Sequence, residues 1–586
     1  MNGSPNAPAP GEAPLPAADA AALVRANATG TLSERTAIRF GDATWTHAEY
    51  HAESSRWAQL FADRRRAARR PLHVGVLLDN TPDYLFALGG AALSGATVVG
   101  LNHTRTGVHL ARDVDHTDVD LIITEPGHAA AIAAIRPELG GAEVLVSHRF
   151  DLDGDLDHPG TDPGTDLAAA LESVSGEDPG IEPGPETRWA LIFTSGTSSA
   201  PKAVVCTQRR LLVTGNRMRM LMELGPTDVG YICMPLFHSN ALMVGWAPSI
   251  VVGASVALAR RFSASGWLVD VRRYGATYFN YTGKPLSYIL STPERPDDHE
   301  NTVRVAFGNE GSPEVLETFA RRFGVQVIDA FGSTEGAIAV SRDVVPRRGA
   351  MGVAGPTVVV VDPDGNELPP ARFDSDGRLV NADECVGEIV NTAGGGPFEG
   401  YYNNDEATAS ALRGGWYWSG DLGYLDEDRY LYFAGRTADW VRVDGENFPA
   451  GPIDEAIAAH PDVVVAAAYG VPDVHAGDQL AVAVVLQPGA DLVPSAFAAW
   501  IDDESGLPPK WRPRYVRIAD ELPTTGTNKI VKRTLVHQKM RRDRVDDDVL
   551  WVRDRGESSY RPFTAPDEET LHRALVDAGR ANLWEI

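Results

Sequence analysis

The sequence predicts an α/β protein with a smaller α+β unit at its C-terminal side, and three observations lead there. The first is length: 586 residues is several times the size at which one hydrophobic core stops growing, so at least two domains are expected. Next, short apolar runs of parallel-sheet type alternate with Ala-rich helical stretches over most of the chain. Last, 43% hydrophobic and 23% charged residues is an ordinary globular composition, which excludes a largely disordered, collagenous or coiled-coil chain.

Each element follows in order. The opening MNGSPNAPAPGEAPLP has neither a basic n-region nor an apolar h-region, so residues 1–17 are read as a disordered tail and not as a signal peptide. Ala21 to Arg70 reads as helical with a short hairpin, AIRFGDATWTHAEY, inserted. VGVLLDN then opens a strand and helix alternation that continues through TVVGLN, DLIITE and EVLVS. Residues 151–185, rich in Asp, Gly and Pro, read as a mostly irregular surface connection with solvated carboxylates. The alternation resumes at Trp189 and runs to about Arg436. Within it, the uncharged stretch Ser239 to Ala259 is long enough for a membrane span, but Asn240, Pro248 and two glycines suit a buried helix followed by a strand, so no transmembrane segment is expected. Beyond Arg436, a helix (Ile453 to His460), a strand pair (VVVAAAYG, QLAVAVVL) and a second helix (Ser495 to Asp502) make a separate α+β unit. The segment from the basic run KMRRDR onward is expected to lie beyond that unit as an extension.

Charge and rare residues narrow the function. The balance of 53 basic against 80 acidic side chains gives −27, a field that repels nucleic-acid backbones and anionic lipid surfaces, so any nucleotide must be held by a local site. Cys206, Cys233 and Cys385 are too far apart for a CxxC pair and too few for a disulfide framework, which points to a reducing cytoplasm. His47 and His51 share a helix face but have no third ligand nearby, and His103, His109 and His116 lack ligand spacing and read as capping or surface residues.

The strongest local signal is WALIFTSGTSSAPKAVV, an apolar strand delivering a hydroxyl- and glycine-rich loop that leads into another apolar strand. The amides and hydroxyls of Thr194, Ser195, Gly196, Thr197 and Ser198 suit a polyphosphate, with Lys202 as counter-charge. It is not a Walker loop, because Pro201 precedes the lysine and Ala203 follows it.

This loop is similar to the phosphate-binding signature TSGTTGxPKG of the adenylate-forming superfamily of acyl-CoA synthetases, peptide-synthetase adenylation domains and luciferases, with Ser199 and Ala203 replacing two family glycines. Three further stretches resemble the other family motifs, in the family's order: VIDAFGSTEGAI, WYWSGDLGYLDEDRYLYFAGRTADWVRVDGEN and LPTTGTNKIVKRTL. The resemblance implies a large N-terminal domain, residues 18–436, of stacked α/β sheets plus a small barrel-like subdomain, and a small mobile C-terminal α+β lid, residues 437–586. It also implies ATP- and Mg²⁺-dependent joining of a carboxylate to AMP with loss of pyrophosphate, followed by transfer to coenzyme A.

By the same resemblance, Glu335 holds Mg²⁺ and Thr334 touches the phosphates, while Phe331, followed by Gly332 and Ser333, stacks on adenine. Gly308, Asn309 and Glu310 line the other side of the base, Asp421 accepts both ribose hydroxyls, and Arg436 binds ribose or phosphate. Lys529 bridges the substrate carboxylate and α-phosphate, and Asn528 stands where the family usually has Gly. The hinge position is Ala438 where the family has Asp or Lys, and Asp444, Gly445 and Glu446 face the pantetheine tunnel in the second state. Lys532, Arg533, Lys539, Arg541 and Arg542 read as a solvated basic face, with contact to the CoA 3′-phosphate as the alternative.

His238 falls at the gate beside the substrate carboxylate, and Trp246, Tyr281, Gly283 and Gly308 line the acyl chamber. Such a lining suits a large hydrophobic carboxylic acid. The chain most resembles bacterial long-chain and very-long-chain acyl-CoA synthetases of the fatty-acid-transport type, among whose relatives are ligases for sterol side-chain and diterpenoid acids. One rival is an enzyme that passes its acyl-AMP to a partner enzyme or carrier protein. Others are a non-catalytic acyl-nucleotide binding or uptake-coupling protein and, more remotely, a luciferase-like oxidation. A homodimer is left open.

Overall fold

The hairpin near the N-terminus joins a distant part of the chain. In the computed structural model, which describes every residue except 1–13, 66–70, 151–163, 195–200, 310, 312, 331, 339, 342–346, 348–349, 375–378, 437–439, 444–445, 474–476, 508, 525–529, 546, 555, 578–583 and 585–586, the strands Thr36–Phe40 and Ala43–Thr46 pair antiparallel. Thr36–Phe40 also pairs in parallel with Ser255–Leu258. This completes a 7-stranded sheet in the order Gln326–Asp329, Val305–Asn309, Tyr278–Thr282, Val229–Ile232, Ser255–Leu258, Thr36–Phe40, Ala43–Thr46, parallel except for its last pair.

A second 7-stranded sheet runs Thr165–Asp166, Glu143–Val146, Leu121–Thr124, His73–Leu77, Thr97–Gly100, Arg188–Phe193, Ala203–Thr207 and is again parallel except for the last pair. The helix Pro82–Ser94 is buried at every position, as an apolar helix without a polar face must be. Its closest neighbour is the helix His47–Arg65, and the approach needs glycine. A Cβ on Gly89 would meet Ser54 Oγ at 2.1 Å, and one on Gly90 would meet Trp57 Cβ at 2.6 Å.

An antiparallel 6-stranded sheet follows, in the order Val340–Ser341, Ala350–Ala354, Tyr430–Arg436, Tyr417–Leu425, Gly387–Asn391, Val358–Val361. It stands where the small barrel-like subdomain was expected. The C-terminal sheet runs Glu446–Pro449, Trp440–Val443, Gly477–Leu486, Tyr515–Ile518, Val549–Val552, Arg561–Pro562, with Val463–Asp473 also paired to Gly477–Leu486.

That sheet corrects the reading of the C-terminal segment as an extension. Val549–Val552 pairs antiparallel with Tyr515–Ile518, and Leu550, Trp551, Tyr560 and Phe563 are buried in the cores on its two faces. The segment completes the sheet. Trp551→Ala is therefore expected to destabilise the C-terminal domain by about 3–5 kcal/mol, read as an earlier unfolding transition in denaturant; a loss below about 1 kcal/mol would contradict this packing.

Other expectations are also revised. Residues 151–185 are mostly irregular where described, as expected, apart from the short strand Thr165–Asp166 and helix Leu167–Glu172. Asp178 is not simply solvated: Arg25 Nε and His51 Nε2 lie 2.7 and 3.0 Å from its Oδ2. The Arg25 hydrogen bond holds this carboxyl well below the usual carboxylate range. The basic run is not one solvated face: Lys539 is buried, Lys532 pairs with Asp454 at 2.6 Å, and Arg541 pairs with Asp543 at 2.7 Å. Arg533 and Arg542 remain exposed. His47 bonds the Gly253 carbonyl at 3.1 Å and shares no ligand with His51. His109 is exposed and His116 closes the helix Gly107–His116, but His103 is partly buried and its ring stacks on His128.

Ser239 to Ala259 folds as the π-helix Asn240–Trp246, the helix Ala247–Val252 and the central strand Ser255–Leu258. Among the described residues, no helix is long and apolar enough to cross a membrane.

Candidate active site

The hydroxyl-rich loop hangs between the antiparallel strands Arg188–Phe193 and Ala203–Thr207, and its neck is closed by the Thr194 amide donating to the Lys202 carbonyl at 3.0 Å. Ser195, Gly196, Thr197 and Ser198 lie outside the described residues. A third stretch clamps the loop's exit. Tyr401 bridges to Val204, Val205 N donates to Gly400 O at 3.0 Å, Tyr402 N to Ala203 O at 2.8 Å, and Asn404 Nδ2 to Pro201 O at 3.1 Å.

The clamp brings three predicted residues to one place. Lys202 Nζ sits 5.5 Å from the centroid of the Tyr401 ring. The same tyrosine donates its hydroxyl to Glu335 Oε1 at 2.7 Å. Burial first, and then the Glu335 carboxylate, push the Tyr401 phenol well above its usual range, so it stays a donor. Asp421 is buried within Tyr417–Leu425, directly opposite Arg436 in strand register, and its charge reaches both Tyr401 and Tyr417. The Tyr417 hydroxyl is hydrogen-bonded to Ser333, and Thr334 Oγ1 lies 3.0 Å from Ser239 Oγ.

One arginine ties these pieces together. The helix Gln208–Leu221 starts at the end of Ala203–Thr207, with Thr207 as N-cap accepting from Arg210 N at 3.2 Å. Glu399 fixes Thr207 by accepting from its amide at 2.8 Å and its hydroxyl at 2.6 Å. The Arg210 guanidinium then donates to Val205 O at 3.0 Å, to Glu335 O at 3.0 Å and to Thr334 O. It thereby joins the strand behind the phosphate loop to the turn that carries Thr334 and Glu335. Arg210→Leu leaves three carbonyls without this donor, at about 1–3 kcal/mol for each one that stays buried and unpaired. A lower melting temperature with slower adenylation is expected, and wild-type values for both would contradict the clamp.

On the other side, Gly308 pairs with Tyr281 in adjacent parallel strands, and a Cβ there would meet Tyr281 O at 2.3 Å. Tyr281 OH donates to Asp329 Oδ2 at 2.8 Å, and Gly311 N donates to the same oxygen at 3.1 Å, which pins the turn after Gly308. Asn309 Oδ1 is buried and has no hydrogen-bond partner among the described residues. A buried orphan acceptor is costly, and it fits a ligand that brings an N–H donor, as an adenine amino group does. A buried carboxylate at Glu335, held by the same tyrosine whose ring Lys202 faces, likewise fits a hard metal ion.

The expected pocket residues come from elements around this strand pair: the π-helix Asn240–Trp246, which follows His238, packs against Tyr278–Thr282, and Gly283 follows that strand. His238 is partly buried, ends a short loop by accepting from Leu242 N at 3.0 Å, and has its ring 5.8 Å from that of Phe237. Trp246 and Tyr281 are buried in the main core, with the Trp246 ring stacked on Trp189 at 5.8 Å. Gly283 opens the helix Gly283–Leu290, and Gly332 has open space around its Cβ position. Glu310, Phe331, Ala438 and Lys529 lie outside the described residues.

Arg210, Ser239, Glu399, Tyr401 and Tyr417 escaped the sequence reading. Arg210 and Glu399 act on backbone or capping groups, which any sequence supplies, so no spacing rule marks them. The pair of tyrosines in EGYYNND, next to a run of glycines, is the one local signal that marks Tyr401.

Comparison with known proteins places the chain among known families and folds. The model of the family described as AMP-binding enzyme matches residues 24–402, and that of the AMP-binding enzyme C-terminal domain matches residues 452–529. The steroid-22-oyl-CoA synthetase of Rhodococcus jostii is 44% identical over 558 residues, covering 94% of this chain and 97% of that protein. The medium/long-chain-fatty-acid–CoA ligase FadD17 of Mycobacterium tuberculosis is 44% identical over 472 residues, covering 80% and 86%. Among solved structures, the anthranilate CoA ligase AuaEII in complex with anthranoyl-AMP superposes with a TM-score of 0.75 at 20% identity, over 89% of this chain and 97% of that one. The ATP-bound MatB of Rhodopseudomonas palustris gives 0.73 at 24%, over 88% and 98%.

Proposed function

The chain belongs to the AMP-binding enzyme family, and from that membership we propose that it activates a large hydrophobic carboxylic acid in two steps at the site around Tyr401. In the first, a carboxylate oxygen attacks the α-phosphorus of ATP and pyrophosphate leaves, giving acyl-AMP. In the second, the thiol of coenzyme A attacks the acyl carbon and AMP leaves, giving the acyl-CoA thioester. The observation that carries this reading is the convergence of Lys202, Glu335 and Asp421 on Tyr401 and Tyr417.

The residues divide the work by chemistry. Lys202, at the end of the hydroxyl-rich loop, offsets phosphate charge, and the Thr334 and Ser239 hydroxyls supply neutral donors beside it. Mg²⁺, when bound at Glu335, neutralises charge on the phosphate oxygens. Tyr401 orients that carboxylate by holding Oε1. Asp421 accepts both ribose hydroxyls with Arg436 opposite it, Asn309 accepts from the base, and Phe331 with Gly308 and Glu310 encloses it. Lys529 bridges the two anions that must meet, which is where most of the transition-state charge lies. His238 stands at the acid's entry, with Trp246, Tyr281 and Gly283 backing the chamber.

The relatives named for steroid-22-oyl and medium/long-chain fatty acyl substrates support a bulky apolar acid, with steroid side-chain acids and long-chain fatty acids as the first to try. Ala438, at the position where the family has Asp or Lys, is the residue that favours a reaction ending at acyl-AMP. Incubation with ATP, Mg²⁺ and each acid, with and without CoA, separates the two, read by mass spectrometry. A CoA thioester with AMP is the expected product; pyrophosphate release with no thioester would make the chain an adenylating enzyme that hands its product to a partner.

A further inference from the structure

A second cluster of ligating side chains lies outside the nucleotide site. Asp79 follows the strand His73–Leu77, His103 follows Thr97–Gly100, and His128 follows Leu121–Thr124 on the helix Pro126–Ala134. These three strands are adjacent and parallel, so all three residues come from the carboxyl edge of one sheet, where α/β folds build their sites. A ligating atom from each lies within 4.8 Å of the others.

We propose that Asp79, His103 and His128 form a site for a divalent transition metal, with zinc the ion its chemistry suits. Two imidazoles and one carboxylate, completed by water, are a zinc donor set, and a tetrahedral ion with ligands at about 2.1 Å places them about 3.4 Å apart. His128 Nε2 and Asp79 Oδ1 stand at 3.1 Å. His103 Nδ1 is buried with no hydrogen-bond partner among the described residues, and its ring lies parallel to that of His128 and edge-on to that of Phe237, each with centroids 5.2 Å away.

The surroundings hold the carboxylate as an outer shell does. Arg260 Nε and Arg261 Nη2 donate to Asp79 Oδ2 at 3.2 and 2.9 Å, which leaves Oδ1 for the ion. Glu125 accepts from Asp79 N at 2.6 Å and from Arg260, so it fixes the loop and balances the second arginine. The ion would tie three strand ends together and, through the Phe237 ring against His103, brace the segment that presents His238.

The test uses the full chain, stripped with a chelator, desalted and titrated with Co²⁺ in excess Mg²⁺ and without nucleotide. One equivalent should bind with the intense visible absorption of a tetrahedral site, be displaced by Zn²⁺, and be lost in His103→Ala. His128→Gln should lose it as well, and it carries the test if His103→Ala fails to fold by circular dichroism. The signal should persist in Glu335→Gln. Absence of cobalt uptake by the wild type overturns the assignment, as does wild-type binding by the histidine variants; loss in Glu335→Gln instead would place the ion at the nucleotide site and overturn it too.

Discussion

Lys529→Ala should abolish acyl-adenylate formation, with carboxylate-dependent pyrophosphate exchange falling by at least about 10²–10³-fold. The reaction brings a carboxylate against a polyphosphate, and a single ammonium between them gains most where charge concentrates, at the α-phosphorus in the transition state. The loss should therefore fall on kcat, with the KM for ATP nearly unchanged, because the nucleotide contacts proposed for Lys202, Asp421 and Asn309 would remain. The substitution should also leave the fold intact. Thr524 and Ile530, which flank the loop, pair antiparallel, Val531 N donates to Pro523 O at 2.8 Å, and Lys532 next along is tied to Asp454. Near-normal exchange in a folded Lys529→Ala protein would remove the lysine from the mechanism.

Glu335→Gln should have the next largest effect, a fall of about 10²–10³-fold in adenylation, since a metal ion's charge stabilisation is worth several kcal/mol and each decade of rate is about 1.4 kcal/mol. The shape is kept, and Tyr401 can still donate to the amide oxygen, so what is lost is the negative charge. A higher Mg²⁺ requirement should accompany the slower rate. Tyr401→Phe separates orientation from charge: it removes the 2.7 Å hydrogen bond but keeps the carboxylate, and should cost about tenfold. Glu335→Gln within about twofold of wild type, or no change in Mg²⁺ dependence, would mean that the metal is held elsewhere.

The parts of the site readable from sequence are those where one residue type must stand at one place along the chain. Lys202 closes a loop of small hydroxylated residues, Glu335 follows Thr334 in a glycine-flanked turn, and Asp421 follows Ser419 and Gly420. Each is a local string with a chemical purpose. Arg210 is different, because it works by donating to backbone carbonyls more than a hundred positions away in Thr334 and Glu335, and carbonyls leave no mark on a sequence. Tyr401 and Tyr417 look like core aromatics, and only the fold shows them sharing Glu335's surroundings.

The same distinction separates the parts of the fold. Alternating apolar runs and helices identify the parallel sheets because each strand is buried on both faces. VLWV near the C-terminus is just as apolar, yet nothing in it names Tyr515–Ile518 as its neighbour, so the pairing at Val516 and Trp551 that completes the C-terminal sheet emerges only in three dimensions. His103 and His128 are separated by a strand and a helix, beyond the reach of any i, i+4 rule, and they meet because parallel strands align their carboxyl ends.

Acyl-AMP formation at the Tyr401 site is the central step proposed, and isotope exchange between pyrophosphate and ATP reads it without coenzyme A. With Mg²⁺ and a panel of steroid side-chain, long-chain fatty, terpenoid and aromatic acids, the wild-type chain should catalyse exchange that depends on the acid and is greatest for a large apolar one. No acid-dependent exchange with any member of the panel would contradict the account.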